Sequence, residues 1–154
     1  MNEIFIRTAI PHDLETLLAF EQGIITAERP FDETLKQSTI SYYNILEMIQ
    51  NPTVEVAVAI VDNHIVGSGY AKIVEAKNYH DFEQYAYLGF MFTDNNYRGM
   101  GINVKIINFL KTWCLSKNIV ELRLDVYDIN LSAIKSYEKS GFKKDMVNMR
   151  IRLK

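Results

Sequence analysis

A glycine-rich turn that opens directly into an amphipathic helix places the strongest constraint on what this chain can fold into. The turn is Tyr97-Arg98-Gly99-Met100-Gly101-Ile102, and apolar side chains then recur at helical spacing as far as Cys114. Small residues at the start of a helix leave backbone N–H groups accessible, and the helix dipole favours negative charge there. The turn therefore predicts a phosphate-binding site at a helix N-terminus.

The hydrophobic pattern on either side of the turn predicts a mixed sheet with helices on both faces. Alternating or continuous apolar runs predict six strands, at residues 3–8, 54–61, 65–75, 85–93, 120–126 and 147–153. Helical spacing predicts four helices, which start near Pro11, cover Tyr42 to Ile49, and span 99–117 and 130–140. Residues 28–33 are predicted to be a loop between the first two helices.

Length and composition favour one domain without a membrane span. A chain of 154 residues is long enough for a single core, and no apolar run approaches the length of a bilayer span. The first residues lack the features of a secretory signal, and the single cysteine, Cys114, cannot form an internal disulfide. These features predict a cytoplasmic protein.

The charges are distributed unevenly along the chain. Residues 11–55 hold eight acids and two bases, whereas residues 97–154 hold twelve bases and five acids. The basic half suits a polyanionic ligand and the acidic half a cationic substrate, although solvated helix faces explain the same pattern. The bases alternate with apolar positions and form no recognition motif for nucleic acid, so we expect no nucleic-acid partner.

A second motif lies about thirty residues after the glycine-rich turn. The segment from Asn130 to Phe142 predicts a short helix with Asn130 at its start, a hydroxyl at Tyr137 and Gly141 at its end. Together the two motifs resemble the GNAT superfamily of acetyl-CoA-dependent N-acyltransferases. The resemblance implies a single GNAT domain over residues 1–154. It also implies an α/β (α+β) fold, with a mostly antiparallel mixed sheet of six to seven strands and helices on both faces.

The resemblance implies that acetyl-CoA is the acyl donor, bound along the central strand and the turn. The family's phosphate signature falls on Arg98, Gly101 and Asn103, and Asn103 stands where the family has Gly or Ala. Its side chain is expected either to crowd the diphosphate or to supply an amide donor. The implied cofactor-binding residues are Met91, Phe92, Thr93, Arg98, Gly99, Met100, Gly101, Ile102, Asn103, Asn130 and Tyr137.

Acetyl transfer requires a proton acceptor for the amine and a proton donor for the leaving thiolate. The resemblance assigns the donor role to Tyr137, while packing against the cofactor is the alternative for this residue. Glu28 is the first candidate for the base, with solvated loop charge as its alternative. The three histidines have no ligand spacing, so no metal is expected, and Cys114 has no histidine partner that would make it a nucleophile.

These residues favour an N-acetyltransferase that acts on a primary amine by direct attack in a ternary complex. The expected acceptor is a small, cationic molecule, and a homodimer is possible within the family. Two alternatives stay open: acetylation of a protein amine, and a non-catalytic acyl-CoA sensor.

Overall fold

The computed structural model describes residues 3–154, and within them it contains one five-stranded sheet and four α-helices. The strands are Phe5–Thr8 (β1), Val54–Val61 (β2), His64–Glu75 (β3), Gln84–Thr93 (β4) and Leu122–Leu124 (β5). The helices are Leu14–Glu28 (α1), Ile45–Gln50 (α2), Ile102–Ser116 (α3) and Leu131–Lys139 (α4). The chain therefore has the predicted order of elements as far as the fourth helix.

The strands lie in chain order, β1-β2-β3-β4-β5, and only the last pair is parallel. The predicted hairpin of β2 and β3 is confirmed. Its turn residues Asp62 and Asn63 have φ angles of 49° and 64°, the left-handed conformations that a two-residue turn between twisted strands requires. The parallel pairing of β4 with β5 follows from the α3 crossover that connects them.

The sheet carries a hydrophobic core on each face, because β2 is apolar on both sides. Ala57, Ala59 and Val61 point to one face and pack with Ile106 and Leu110 of α3. The other face is covered by α1 and α2, and its core contains Val54, Val56, Val58, Leu17 and Ile45. Alternate residues of one strand thus contribute to two cores, and helices cover both faces as predicted.

The prediction of six to seven strands is wrong. Residues 147–153 alternate between apolar and polar types, yet they form no strand in the described part of the chain, and every residue from 143 to 154 is exposed. A strand needs a paired edge as well as an alternating pattern, and this segment pairs with no strand among residues 3–154. The fifth strand is also shorter than predicted, because only Leu122–Leu124 pair with β4.

Two further boundaries differ from the prediction. The third helix begins at Ile102 rather than at residue 99, because Gly99 and Gly101 both have a φ of 78°, which an α-helix cannot accommodate. Glu28 lies in the last turn of α1 rather than in a loop, and a 3₁₀ turn follows at Arg29–Phe31.

The start of α1 is fixed to β1 by a buried carboxylate. Asp13, which is 5% exposed, accepts hydrogen bonds from Arg7 Nη1 at 2.8 Å and Nη2 at 3.0 Å, and from the backbone N–H of Ile10 at 2.8 Å. These bonds hold the pKa of Asp13 below its usual range.

Candidate active site

The central strands separate at the middle of β4 and leave an opening in the sheet. β4 pairs with β5 only from Ala86 to Leu88, so the β5-facing edge of residues 89–93 has no strand neighbour among the described residues. The pairing with β3 is also irregular at this point, and Phe90 has a φ of 57°. A bulky residue in the left-handed region costs about 1–3 kcal/mol and is found mostly at functional sites.

The irregular conformation of Phe90 is held by the neighbouring strand. The buried hydroxyl of Ser68 donates a hydrogen bond of 2.9 Å to the Phe90 carbonyl oxygen. The predicted pantetheine-binding residues Met91, Phe92 and Thr93 come next and are half-buried. These residues therefore lie on a strand edge that is free to pair with an extended amide ligand.

The glycine-rich turn follows β4 after a 3₁₀ turn at Asn95–Tyr97. Gly99 and Gly101 lie in the left-handed region, and a Cβ atom on either would meet nothing within 4 Å. The first N–H group of α3 with a helical partner is that of Lys105, which bonds to the Gly101 carbonyl at 3.1 Å. The N–H groups of residues 102–104 precede it and lack helical acceptors. The turn is thus an open, electropositive helix N-terminus of the kind that binds phosphate.

The side chain of Asn103 connects two helices. Its Nδ2 atom donates to Ser136 Oγ at 3.0 Å, which joins the start of α3 to the middle of α4. A second link runs from Lys111 to the backbone carbonyl of Ser140. In this arrangement the Asn103 amide neither fills the turn nor donates into it. Arg98 and Met100 are exposed.

Helix α4 has the cap that its sequence predicts. Asn130 Oδ1 accepts a hydrogen bond from the Ala133 N–H at 3.3 Å. Tyr137 lies two turns later and packs edge-on against Phe142, with ring centroids 6.0 Å apart. Burial, and to a smaller extent the charge of Glu28, raises the pKa of Tyr137 to about 12.

Glu28 lies among phenol groups rather than in solvent. Burial raises the pKa of Glu28, with a smaller contribution from the charge of Asp32, while the nearby Tyr42 hydroxyl opposes this shift. The Tyr42 hydroxyl is itself buried and has no partner with hydrogen-bond geometry among the described residues. Burial and the Glu28 carboxylate both raise the pKa of Tyr42. Glu28, Tyr42 and Tyr137 are therefore close enough for their charges to interact.

Asp32 is a second acid, close enough to Glu28 for its charge to raise the pKa of that carboxyl. Tyr127, just beyond β5, donates a hydrogen bond of 2.7 Å to Asp32 Oδ2, and its ring stacks on Phe31 at 6.1 Å. Its pKa is raised by burial, by Asp32 and by Glu28. Two carboxylates and three aromatic rings thus surround one region between the end of α1 and the end of β5.

The segment that carries Tyr42 is held in place by a buried glutamate. Glu21, on the inner face of α1 and 1% exposed, accepts hydrogen bonds from the backbone N–H groups of Tyr42 and Tyr43 at 2.9 and 2.8 Å. Ser41 Oγ donates to the same carboxylate at 3.2 Å. Tyr43 then packs against Tyr70 and Phe90, which connects this segment to the irregular part of β4.

The structure brings Glu28 and Tyr137, the predicted base and acid, within range of each other's charge. Of the predicted cofactor residues, Met91, Phe92 and Thr93 lie on the unpaired part of β4, and residues 98–103 form the turn and the start of α3. Sequence reasoning missed Tyr127 and Glu21. Tyr127 lies in an irregular segment, where no hydrophobic pattern or motif marks it as a site residue. Glu21 did carry a signal, because it lies on the apolar stripe formed by Leu17 and Ile24 at helical spacing.

Among the described residues, 3–154, no group of three or more metal-ligating side chains occurs. No helix in the same range is long and apolar enough to cross a membrane.

Comparison with known proteins gives one family match and many structural matches. The sequence profile of the acetyltransferase (GNAT) family matches residues 20–142. No protein with a curated description matches significantly in sequence.

Three solved structures illustrate the structural similarity. A tetramutant of the BH1408 protein from Bacillus halodurans has a TM-score of 0.84 and 20% identity, over 97% of this chain and 99% of that one. An aminoglycoside acetyltransferase from an uncultured soil metagenomic sample has a TM-score of 0.70 and 22% identity, over 98% of this chain and 97% of that one. A predicted acetyltransferase from Clostridium acetobutylicum, solved with acetyl-CoA, has a TM-score of 0.71 and 16% identity, over 98% of this chain and 97% of that one. At such identities these structures establish similarity of fold.

Proposed function

Because this chain belongs to the acetyltransferase (GNAT) family, we propose that it transfers acetyl from acetyl-CoA to a primary amine on a small cationic molecule. The observation that carries the proposal is the unpaired β5-facing edge of residues 89–93, which the open N-terminus of α3 follows along the chain. Glu28 and Tyr137 lie close enough for the glutamate charge to raise the pKa of the phenol, so a proton acceptor and a proton donor are available together.

The residues present fit the donor molecule. The pyrophosphate would lie on the free N–H groups of residues 102–104, where Gly99 and Gly101 leave the approach open. Pantetheine amides would pair with the free edge of residues 89–93. A similar structure contains acetyl-CoA, which supports this cosubstrate. When bound, acetyl-CoA supplies the activated carbonyl carbon that the amine attacks.

Tyr137 is proposed to donate its hydroxyl proton toward the departing sulfur. A pKa of about 12 keeps the hydroxyl protonated at neutral pH, so the donor is always in the required state. An ordinary thiol has a pKa of about 8.5. Complete transfer of the proton from Tyr137 to the thiolate is therefore unfavourable, because the pKa of Tyr137 is about 3–4 higher. The hydroxyl therefore stabilises the leaving thiolate chiefly by a hydrogen bond.

Glu28 is proposed to accept the proton of the incoming amine. Its raised pKa makes it a better base than an exposed glutamate, and a general base works best with a pKa near the working pH. Asp32, held by Tyr127, stays ionised and is free to bind a second positive charge of the acceptor.

The proposed acceptor class follows from the surroundings of these acids. Phe31, Tyr42 and Tyr127 supply aromatic rings next to Glu28 and Asp32, and rings beside carboxylates favour ammonium groups. An aminoglycoside acetyltransferase is among the similar structures, and its substrates by name belong to the class of polycationic amines. Neutral or acidic acceptors are expected to react poorly.

The test measures thiol release from acetyl-CoA with a panel of mono-, di- and polyamines and with neutral and acidic amines. Tyr137→Phe should lower kcat about 100-fold, the smaller end of the loss caused by removing one hydrogen-bond donor to a developing anion, while the Kd for acetyl-CoA changes little. Tyr79→Phe is the matched control, because Tyr79 is 81% exposed and remote from the opening. Equal loss of kcat and of affinity in Tyr137→Phe would contradict the proton role. Binding of acetyl-CoA without release by any amine would favour a protein acceptor or a sensor.

A further inference from the structure

Helix α4 carries Tyr137, yet few of its own side chains are buried. Within Leu131–Lys139 the one buried residue is Ile134, and Leu131 at the start of the helix is 63% exposed. Phe142, beyond the end of the helix, is half-buried against the core on the α3 side of the sheet. Hydrophobic burial therefore fixes α4 at few points, and its position depends on further contacts.

Two hydrogen bonds from α3 supply those contacts. Asn103 Nδ2 donates to Ser136 Oγ at 3.0 Å, and Lys111 Nζ donates to the backbone carbonyl of Ser140. Both bonds are partly buried, so water competes with them less than it does at the surface. The donors are about two turns apart on α3, and the acceptors are about one turn apart on α4. Two separate attachment points set both the distance and the direction of α4 relative to α3.

The bond at Ser136 also fixes the rotation of α4 about its own axis. Successive side chains on an α-helix are about 100° apart, so the direction of Ser136 determines the direction of Tyr137, the next residue. Tyr137 packs edge-on against Phe142 with ring centroids 6.0 Å apart, and it lies within range of the Glu28 charge. A rotation of α4 would move the phenol away from both neighbours.

Asn103 belongs to the glycine-rich turn through its backbone. The N–H groups of residues 102–104 precede the first helical bond of α3, which runs from Lys105 to Gly101. The side-chain amide of Asn103 is engaged by Ser136 instead. One residue thus offers its N–H group to a phosphate and its side chain to the helix of Tyr137. Glycine or alanine at position 103 would keep the first contact and lose the second.

We propose that Asn103 is a positioning residue, which through Ser136 holds Tyr137 in place relative to the glycine-rich turn at the start of α3. Its effect on catalysis rests on the proposed function, in which Tyr137 donates a hydrogen bond to the leaving sulfur. Acetyl-CoA is held by backbone groups at one end of this connection, and the phenol is carried at the other end. Loss of the Asn103–Ser136 bond should therefore lower kcat without weakening acetyl-CoA binding, because the N–H groups remain.

Fluorine NMR tests the positioning without any need for turnover. A single fluorotyrosine is incorporated at position 137, and its fluorine chemical shift reports the surroundings of the ring. Asn103→Ala and Ser136→Ala should both move this signal toward its position in the denatured protein, because each removes the same bond. Asn108→Ala and Ser132→Ala are the matched controls, since both residues are exposed on the same two helices, and they should leave the signal in place. A signal that does not move in Asn103→Ala would overturn the proposal.

Steady-state kinetics tests the consequence for the reaction with an amine that supports thiol release. Asn103→Ala should lower kcat about tenfold, less than the roughly 100-fold that a 1 Å misplacement can cost, and should change the Kd for acetyl-CoA less than about twofold. In a Tyr137→Phe background the same change should not lower kcat further, because no donor remains to be positioned. A further loss in that background, or a Kd that rises as much as kcat falls, would contradict the positioning role. If no amine supports release, the proposed function fails, whereas the fluorine signal still decides the positioning.

Asn103→Asp separates the hydrogen bond from the charge at this position. Aspartate has nearly the same shape, and its carboxylate would accept a hydrogen bond from the Ser136 hydroxyl. The fluorine signal and kcat should therefore stay close to those of the wild type. The added negative charge lies at the start of α3, so the Kd for acetyl-CoA should rise several-fold because like charges repel. A loss of kcat in Asn103→Asp as large as that in Asn103→Ala would show that the bond to Ser136 does not position the phenol.

Discussion

Replacing Glu21 tests whether one buried carboxylate positions the amine side of the site. The Glu21 carboxylate is the acceptor for two adjacent backbone N–H groups, those of Tyr42 and Tyr43, and for the Ser41 hydroxyl. These three residues belong to the segment 32–44, which contains no helix or strand. The path of this segment next to Glu28 therefore depends on the bonds to Glu21.

The expected cost follows from the number of bonds. A hydrogen bond to a charged acceptor contributes about 1.5–3 kcal/mol, and a buried donor left unpaired costs a similar amount. Glu21→Ala removes the acceptor of two backbone donors, so we expect a loss of about 3–5 kcal/mol in the free energy of unfolding. Glu21→Gln keeps the shape of the side chain and one acceptor oxygen, and it should lower the free energy of unfolding by about 1–2 kcal/mol. The free energy of unfolding of a whole domain is only about 5–15 kcal/mol, so Glu21→Ala is expected to be only marginally stable.

Chemical denaturation gives the stability change, and steady-state kinetics separates positioning from stability. Glu21→Gln should raise KM for the amine several-fold, because Tyr42 and Tyr43 move, and should leave the Kd for acetyl-CoA unchanged. Glu15→Ala is the control on the same helix, since Glu15 is exposed, and it should lose about 0.5 kcal/mol at most. A loss below 1 kcal/mol in Glu21→Ala, or an unchanged KM in Glu21→Gln, would refute the reasoning.

Three further predictions concern the turn, the base and the α1 anchor. Gly101→Ala meets no clash but must adopt a φ of 78°, so it should cost about 1–2 kcal/mol and weaken acetyl-CoA binding, measured by calorimetry. The kcat/KM of the wild type should rise with pH through the raised pKa of Glu28, because only the carboxylate accepts a proton. Glu28→Gln should abolish that acid limb, and an unchanged pH–rate profile would eliminate Glu28 as the base. The lowered pKa of Asp13 means that its stabilisation is present above the unfolded pKa near 4 and is lost as pH falls through the folded value. Asp13→Asn should therefore lower Tm at pH 7 and have little effect near pH 2.

The elements that follow from local pattern were predictable, and those that depend on a distant edge were not. The hairpin of β2 and β3 follows from two apolar runs joined by Asp62-Asn63, and α4 follows from its Asn130 cap. Residues 147–153 show the opposite case. Their apolar and polar side chains alternate regularly, but pairing depends on which edge is within reach, and sequence alone does not specify this.

The site divides in the same way. The glycine-rich turn was predictable because the required φ angles restrict it to few residue types. Glu28 and Tyr137 are more than a hundred residues apart, and their proximity depends on where α1 ends relative to α4. The position of Tyr127 depends on β5 ending early, which no pattern in residues 120–126 indicates.

The two sides of the site are supported by different kinds of structure, and this difference has a consequence for specificity. The cofactor side rests on backbone geometry: the free edge of β4, the φ of Phe90 and the N-terminus of α3. The amine side rests on side-chain anchors in an irregular segment, where Glu21 holds residues 41–43 and Arg29 donates to the carbonyls of Lys36 and Ser38 at 3.0 and 2.8 Å. Side-chain anchors can be exchanged without altering the sheet, whereas backbone geometry cannot. Substitutions in residues 29–43 should therefore change the preferred amine while they leave acetyl-CoA binding intact.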